Sequence, residues 1–170
     1  VLVTGANGQL GKSIKRISPN FKGLKFVFTD KADLDITNSE EVNTFFESNA
    51  LDYCINCAAY TSVDKAEEET DKAYLINATA VKNLAEACKK SGAVLIHIST
   101  DFVFDGTKRT PYTEEDMPNP LSVYGKSKLK GEEHVQESCD RHFIVRTSWL
   151  YSEYGNNFVR RIDEMKRFKF

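Results

Sequence analysis

The sequence lacks any apolar run long enough to cross a bilayer, and it carries almost no excess of one charge. None of its hydrophobic stretches approaches 18 residues, and its N-terminus has no signal-peptide pattern. We therefore expect neither membrane insertion nor secretion, and a cytoplasmic location. A formal net charge of −2 over 170 residues gives no electrostatic reason to expect nucleic-acid binding.

Cysteine is also scarce, and its placement argues against a metal or redox centre. Cys54 and Cys57 have C-x-x-C spacing, but they lie in an apolar run that predicts a strand, where residues three apart point to opposite faces. Cys88 falls in a predicted helix and Cys139 near a helix end. We expect reduced cysteines that pack in the interior.

What the sequence does contain is typical of one globular domain, with 41% hydrophobic and 28% charged residues. Strand and helix patterns alternate, which predicts an α/β fold: a Rossmann-like doubly wound parallel sheet with helices on both faces. Val1 opens directly on a strand and Phe170 falls within a helical pattern, so we expect a piece of a longer chain.

The predicted elements put polar residues at one edge of this sheet. Strands are expected at 1–3, 24–29, 53–58, 94–98 and 142–146, with a strand or turn at 34–37. Helices are expected at 9–17, from Thr37 or Asn38, at 71–91 with Gly92 as its cap, at about 122–137, and after Gly155-Asn156-Asn157. His97 lies within the fourth strand, which we expect to be covered on both faces, and is interpreted as a satisfied core histidine.

A glycine-rich turn follows the first strand. Gly5, Gly8 and Gly11 form G-x-x-G-x-x-G between a buried strand and a helix, the context in which a turn and a helix N-terminus hold a pyrophosphate. Asp30 ends the second strand 19 residues after Gly11, where a carboxylate would accept hydrogen bonds from an adenosine ribose. With 59–61, Thr100 and Trp149, these residues are expected to line one crevice.

Tyr124 and Lys128 are spaced i and i+4, so a helix would place both on one face. A nearby ammonium favours the phenolate, and we expect Lys128 to lower the pKa of Tyr124 and make it a tuned general acid. The alternative is an exposed helical pair.

Together, residues 4–11, Asn56-Cys57-Ala58-Ala59, Ser99-Thr100-Asp101 and Tyr124-x-x-x-Lys128 resemble the extended short-chain dehydrogenase/reductase family. Longer blocks at 59–67, 99–106 and 146–151 are similar to members that reduce 4-keto nucleotide sugars. The resemblance implies that residues 1–170 are the NAD(P)-binding Rossmann domain, without the family's C-terminal substrate-binding part. The implied reaction is NAD(P)H-dependent reduction of dTDP-4-dehydrorhamnose to dTDP-L-rhamnose.

The resemblance also implies roles for individual residues. Tyr124 would be the proton donor, Lys128 would bind the nicotinamide ribose, and Thr100 would hydrogen-bond the substrate carbonyl. The implied cofactor contacts are Gly8, Gln9 and Leu10 at the pyrophosphate, within the turn shaped by Gly5 and Gly11, then Asp30 at the ribose, Asp35 and Ile36 near the adenine, and Ala59, Tyr60 and Thr61 at the nicotinamide half. Thr100, Asp101 and Trp149 would contact the nucleotide-sugar.

Some expectations concern cofactor choice and partners. Asp30 would repel a 2′-phosphate and Lys31 would offset this in part, so we predict that NADH is preferred and NADPH is also used. Lys12 and Ser13 stand where some members carry a glutamate for a magnesium-dependent dimer, so no metal is implied, while a homodimer stays open.

Two other functions stay open. One is a non-catalytic, cofactor-binding regulatory subunit of the type that partners methionine adenosyltransferase. The other is a nucleotide-sugar epimerase or dehydratase, for which Asp101 could supply a further acid or base.

Overall fold

A parallel sheet forms the centre of the computed structural model, which describes residues 1–155 and 157–167. Within this part of the chain five strands pair in the order β2-β1-β3-β4-β5. The strands are β1 Leu2–Thr4, β2 Val27–Thr29, β3 Tyr53–Asn56, β4 Val94–Thr100 and β5 His142–Thr147. The α/β fold predicted from the alternating pattern is confirmed.

Helices connect the strands. They are α1 Gln9–Ile17, α2 Ser39–Ser48, α3 Val63–Ala66, α4 Thr70–Tyr74, α5 Ala80–Ser91, α6 Val123–Ser138 and α7 Phe158–Arg167. A π-helical turn, Leu75–Thr79, joins α4 to α5, and 3₁₀ turns cover Ser18–Asn20 and Asp101–Val103. Asn38 caps α2 through its side chain, and Gly92 ends α5 with φ +75°, as predicted. Asn156, predicted to help open the last helix, lies outside the described residues.

The strand order places the helices on both faces. The crossover from β1 to β2 runs in the opposite direction to those from β2 to β3 and from β4 to β5. Right-handed crossovers therefore put α1 on one face and α2 and α6 on the other. The order reverses at β1 and β3, and in such sheets ligands bind where the strands on either side of this point end.

The main core lies under the face that carries α2, α5 and α6. Buried side chains there include Leu2, Cys54, Leu84, Leu95 and Val135. The opposite face of β4 and β5 is less covered: Ile96 and Ile98 are half-buried, and Phe143 is 64% exposed. The prediction that the fourth strand is covered on both faces therefore holds on one face only.

The second predicted strand is shorter than expected, and the segment predicted as a strand or a turn is a turn. The second was expected over 24–29 but pairs only over Val27–Thr29, because β1 offers three residues to pair with. Residues 34–37 form a turn in which the Asp35 carboxylate accepts hydrogen bonds from the backbone and hydroxyl of Thr37. In the described part of the chain no helix is long and apolar enough to cross a membrane.

Candidate active site

The turn after β1 is built so that only glycine fits at its key positions. Gly5 has φ +63°, and a Cβ atom there would lie 2.7 Å from the Ala58 backbone nitrogen. Gly11 is buried in α1 against the Gly5 carbonyl, which leaves no room for a side chain. The turn therefore packs directly on the end of β3, and Gly8 begins α1 without a side-chain cap.

A cleft of about 270 Å³ opens beside this turn. Of the residues predicted to hold a cofactor, it is lined by Gly5, Gly8, Asp30, Asp35, Ile36 and Ala59. Thr29 also lines it, and among the described residues its buried Oγ1 has no hydrogen-bond partner. A glycine turn, a helix N-terminus and an unpartnered hydroxyl together fit a phosphate-containing dinucleotide.

Two carboxylates in the cleft differ in how strongly they are held. Asp30 accepts one hydrogen bond, from the Lys31 backbone nitrogen at 2.9 Å. Asp35 accepts two from Thr37 and lies 3.6 Å from the Lys31 ammonium. The Thr37 hydrogen bonds, assisted by Lys31, lower the pKa of Asp35. Asp30 therefore retains more capacity to accept hydrogen bonds from a ribose.

Other predicted cofactor residues have different surroundings. The Gln9 side chain donates to the Leu150 carbonyl at 2.6 Å and accepts from Asn157 at 2.9 Å, so it holds the segment after β5 against α1. Leu10 is half-buried in the first turn of α1, and Thr61 is exposed. Of Gln9 and Leu10, the backbone N–H groups in the first turn of α1 are therefore left as possible anion contacts.

The loop that carries Ala59 and Tyr60 is fixed by a residue that the sequence analysis missed. Asn77, fully buried in the π-helical turn, accepts from the Tyr60 backbone nitrogen at 2.8 Å and donates to its carbonyl at 3.0 Å. It also donates to the Ser127 hydroxyl at 3.0 Å. Its position in a helix gave no sequence signal beyond a polar residue on an inner stripe.

Tyr124 lies at the start of α6 and faces the end of β4. The Ser122 hydroxyl caps the helix through the Gly125 backbone nitrogen at 3.0 Å. Gly125 packs against the Phe102 carbonyl, and the Phe102 ring meets the Tyr124 ring edge-on at 5.5 Å between centroids. This close packing places the Tyr124 hydroxyl near Thr100, so two of the predicted catalytic groups are neighbours.

Lys128 is buried, and its contacts differ from the expected ones. Its ammonium donates to the Ile98 carbonyl at 2.6 Å and lies 3.4 Å from His97 Nε2. Burial lowers the pKa of Lys128 to about 8. Burial also raises the pKa of Tyr124, and the nearby Thr100 hydroxyl offsets this only in part.

The expectation that Lys128 lowers the pKa of Tyr124 is therefore wrong for the protein as described here. The low-dielectric environment dominates both groups.

The lysine and the cleft are neighbours. Cys57 lines the cleft, and the positive charge of Lys128 acts on the Cys57 thiol. Burial is stronger and raises the pKa of Cys57 to about 12. All four cysteines are free thiols. Thr100, Tyr124 and Lys128 thus lie near the carboxyl ends of β3 and β4. The glycine turn lies at the same edge of the sheet, after β1.

The predicted substrate residues lie beyond Thr100. Asp101 accepts hydrogen bonds from Thr100 at 3.1 Å and from Ser148 at 2.7 Å, which joins the ends of β4 and β5. It also lines a second cavity, of about 520 Å³, between α6 and β5. Trp149 has φ +52°, an uncommon conformation for a bulky residue, and its side chain is 67% exposed.

A buried ion pair lies behind these residues and was not predicted. Glu132 on α6 accepts from Arg146 Nε at 3.0 Å and from Arg146 Nη2 at 2.6 Å, and from the Ser99 hydroxyl. Arg146 also stacks on Phe104, with its guanidinium carbon 5.0 Å from the ring centroid. The pair fixes α6 against β4 and β5, the two strands whose ends carry Thr100 and Ser148.

Comparison with known proteins identifies a family. Residues 1–168 match the family described as RmlD substrate binding domain. A dTDP-4-dehydrorhamnose reductase from Aggregatibacter actinomycetemcomitans is 44% identical over 160 residues, which cover 94% of this chain and 54% of that protein. The chain thus spans about half the length of the curated relatives that it matches.

Solved structures agree with this match. A dTDP-4-dehydrorhamnose reductase from Clostridium acetobutylicum superposes with a TM-score of 0.94 at 49% identity, covering 98% of this chain and 59% of that one. The enzyme of the same name from Bacillus anthracis, in complex with NADP, gives 0.96 at 45% identity, with 99% and 59% covered. The resemblance stated from sequence is confirmed.

Proposed function

The chain belongs to the RmlD substrate binding domain family, and on that premise we propose an NADH- or NADPH-dependent reductase of a 4-keto nucleotide sugar. Its substrate is dTDP-4-dehydrorhamnose and its product dTDP-L-rhamnose, the assignment supported by relatives that are named for this activity. Residues 1–170 form the cofactor-binding domain, and a C-terminal part completes the sugar site. A cytoplasmic location and a homodimer stay predictions.

One observation carries the proposal. The Tyr124 hydroxyl lies close to Thr100 at the end of β4, and Lys128 lies one helical turn further along α6. Carbonyl reduction needs a proton donor and a group that steadies the developing alkoxide, both beside the cofactor. Lys128 connects these groups to the cleft, because its charge acts on Cys57, which lines the cleft whose turn and helix N-terminus suit a dinucleotide.

Each residue has a distinct proposed task. A bound nicotinamide cofactor supplies the hydride. Thr100 turns its hydroxyl from Asp101 to donate a hydrogen bond to the substrate oxygen, and Tyr124 transfers its proton to that oxygen as negative charge develops. Burial raises the pKa of Tyr124, so its hydroxyl holds the proton at neutral pH until the alkoxide demands it. Lys128, with a pKa of about 8, can return a proton to the tyrosine.

We assign cofactor binding to the residues predicted from sequence. The turn of Gly5, Gly8 and Gly11 and the backbone of Gln9 and Leu10 hold the pyrophosphate. Asp30 binds the ribose, Asp35 and Ile36 border the adenine, and Ala59, Tyr60 and Thr61 lie along the nicotinamide half. Trp149 and Asp101 contact the nucleotide-sugar, Trp149 by offering an exposed aromatic face.

We also propose that NADH is preferred and NADPH is used less well. Asp30 would face a 2′-phosphate with like charge, and the Lys31 ammonium that could compensate already lies 3.6 Å from Asp35. The test compares kcat/KM for the two cofactors in the wild type and in Asp30→Ala. NADPH should gain relative to NADH in the variant. An NADPH preference that is the same in both proteins would rule out Asp30 as the selector.

The reaction itself is tested with the full-length protein, dTDP-4-dehydrorhamnose and NADH, beside Tyr124→Phe. Tyr53→Phe is the matched control, because Tyr53 is an exposed tyrosine on β3. We expect Tyr124→Phe to lose at least about 100-fold in kcat, the usual contribution of a general acid, while the control stays active. Full activity in Tyr124→Phe would refute the role of this tyrosine.

Two further outcomes would redirect the assignment. Absence of reductase activity together with a stoichiometric co-purifying partner would favour the regulatory subunit. A changed stereocentre without net cofactor oxidation, detected by NMR of the product, would favour an epimerase.

A further inference from the structure

His97 has a role beyond filling the core. Its ring is completely buried in β4, between Asn56 at the end of β3 and Lys128 on α6. Burial and the charge of Lys128 hold the pKa of His97 well below its usual value. The imidazole is therefore neutral at physiological pH, with one nitrogen protonated and the other an acceptor.

The hydrogen bonds of Asn56 determine which nitrogen is protonated. The Ala58 backbone N–H can only donate, and it donates to Asn56 Oδ1 at 3.2 Å. The Thr4 hydroxyl donates to the same oxygen at 2.7 Å. The amide nitrogen of Asn56 must therefore face His97 Nδ1, at 3.1 Å, as the donor. His97 Nδ1 accepts this bond, and the ring proton resides on Nε2.

This tautomer directs an N–H group at Lys128. The distance from His97 Nε2 to Lys128 Nζ is 3.4 Å, and the lysine also donates to the Ile98 carbonyl. An ammonium has no lone pair, so it cannot accept from the histidine, whereas the neutral amine can. Hydrogen bonding to the neutral form of a base disfavours its charged form.

We propose that His97 is a positioning residue that Asn56 holds as the Nε2–H tautomer. This tautomer stabilises the neutral amine of Lys128 relative to the ammonium, so the ammonium gives up its proton more readily. The chain of contacts runs from the Thr4 hydroxyl beside the glycine turn, through Asn56 and His97, to the proton-transfer helix. The effect on catalysis rests on the proposed function, whereas the tautomer and its action on Lys128 do not.

Other groups around Lys128 act in the opposite direction. Glu132, on the same helix, and Cys57, after β3, both raise the pKa of Lys128. Arg146 neutralises much of the Glu132 charge through their ion pair. Tyr124, one turn earlier on α6, is protonated at neutral pH. None of these groups changes in the variants below, so differences among the variants report on His97.

The first test reads the tautomer directly, by ¹⁵N NMR of the protein labelled in histidine. The chain has three histidines, and His97→Gln identifies the His97 signals by their loss. We expect a protonated Nε2 and an unprotonated Nδ1 for His97 at neutral pH. His142 is an internal contrast, because its Nδ1 faces the Cys139 carbonyl and must donate. A protonated Nδ1 on His97, or an imidazolium at neutral pH, would overturn the proposal.

The second test measures the titration of Lys128 by ¹³Cε NMR in the wild type, His97→Gln and His97→Leu. Glutamine can accept from Asn56 and present an N–H to Lys128, so its titration midpoint should match that of the wild type. Leucine cannot, and the midpoint should rise by about one pH unit. A more apolar neighbour alone would lower the midpoint, so a fall or no change in His97→Leu would refute the link.

Neither readout needs turnover, so an inactive protein would refute the proposed function without touching this inference. In an active protein, the alkaline limb of the kcat profile should move to higher pH in His97→Leu and stay in place in His97→Gln. If His97→Leu fails to fold, the ¹⁵N NMR measurement of the His97 tautomer in the wild type can still overturn the proposal.

Discussion

Replacing Glu132 by glutamine should cost far more stability than the same change at its neighbour Glu133. The Glu132 side chain is 2% exposed and that of Arg146 is 24% exposed, and two N–H groups of Arg146 bond to the carboxylate. Glu133 pairs with Lys130 at 2.8 Å, and both of these side chains are more than 40% exposed. The two substitutions are chemically identical and differ only in environment.

The magnitude follows from the geometry. Two unit charges about 4 Å apart attract by about 4 kcal/mol at an effective dielectric constant of about 20. Water reaches Arg146 in part, which reduces this value. However, the amide of glutamine would turn a donor toward the guanidinium, leaving the half-buried charge of Arg146 without its full partner. We expect Glu132→Gln to lower the free energy of unfolding by about 3 kcal/mol.

Urea denaturation of the wild type and both variants measures the difference at pH 7. Glu133→Gln should be almost neutral, because solvent screens an exposed pair. Equal losses in the two variants would show that the Arg146 pair contributes no more than a surface contact. A large loss in m-value rather than midpoint would indicate a changed denatured state instead.

Two other predictions follow from packing and burial. Gly125→Ala should lower Tm by several degrees, because the new Cβ atom would meet the Phe102 carbonyl. Gly23→Ala is the control and should leave Tm almost unchanged, because nothing lies within 4 Å of a Cβ atom there. Equal Tm values for the two variants would contradict the packing of α6 on the end of β4. The pKa of Lys128 is lowered to about 8 from 10.5, so between these pH values the unfolded chain binds more protons and stability from this group rises with pH. The contribution of Lys128 is measured as the unfolding free energy of the wild type minus that of Lys128→Met. Between pH 8 and 10.5 this value should increase by at most about 1.4 kcal/mol per pH unit. A decrease, measured by urea denaturation at each pH, would refute the burial of the ammonium.

The sequence predicted the parts of the site that depend on backbone geometry. Gly5, Gly8 and Asp30, chosen from their spacing and position, line one cleft, and Gly5 has the positive φ that favours glycine. That these residues bind a cofactor stays a prediction. The helix bounds Gln9–Ile17 and the Gly92 cap follow from the same local rules. Local chemistry leaves a pattern that can be detected without a partner.

The parts that depend on tertiary partners were missed. Asn77, Asn56 and Glu132 are ordinary polar residues on apolar stripes, and their roles depend on residues between 14 and 52 positions away. Lys128 was assigned the wrong electrostatic effect for the same reason. The i, i+4 spacing indicates a shared helix face. It does not indicate that the Lys128 ammonium contacts the Ile98 carbonyl and His97.

The π-helical turn between α4 and α5 allows one continuous helical segment to pack into two different hydrophobic clusters. Ala73, before the turn, packs with Ala66 and Tyr124, while Ala80 and Leu84, after it, pack with the sheet. One residue corresponds to about 100° around a helix axis, so a regular α-helix lacking the extra residue would rotate α4 by that angle relative to α5.

Such a rotation would move Ala73 toward solvent and carry Asn77 away from Tyr60. The π-helical turn thus sets the rotation of α4 relative to α5 about the helix axis. In alignments of homologous chains, a one-residue deletion within Leu75–Thr79 should be far less tolerated than one in the exposed loop around Gly106.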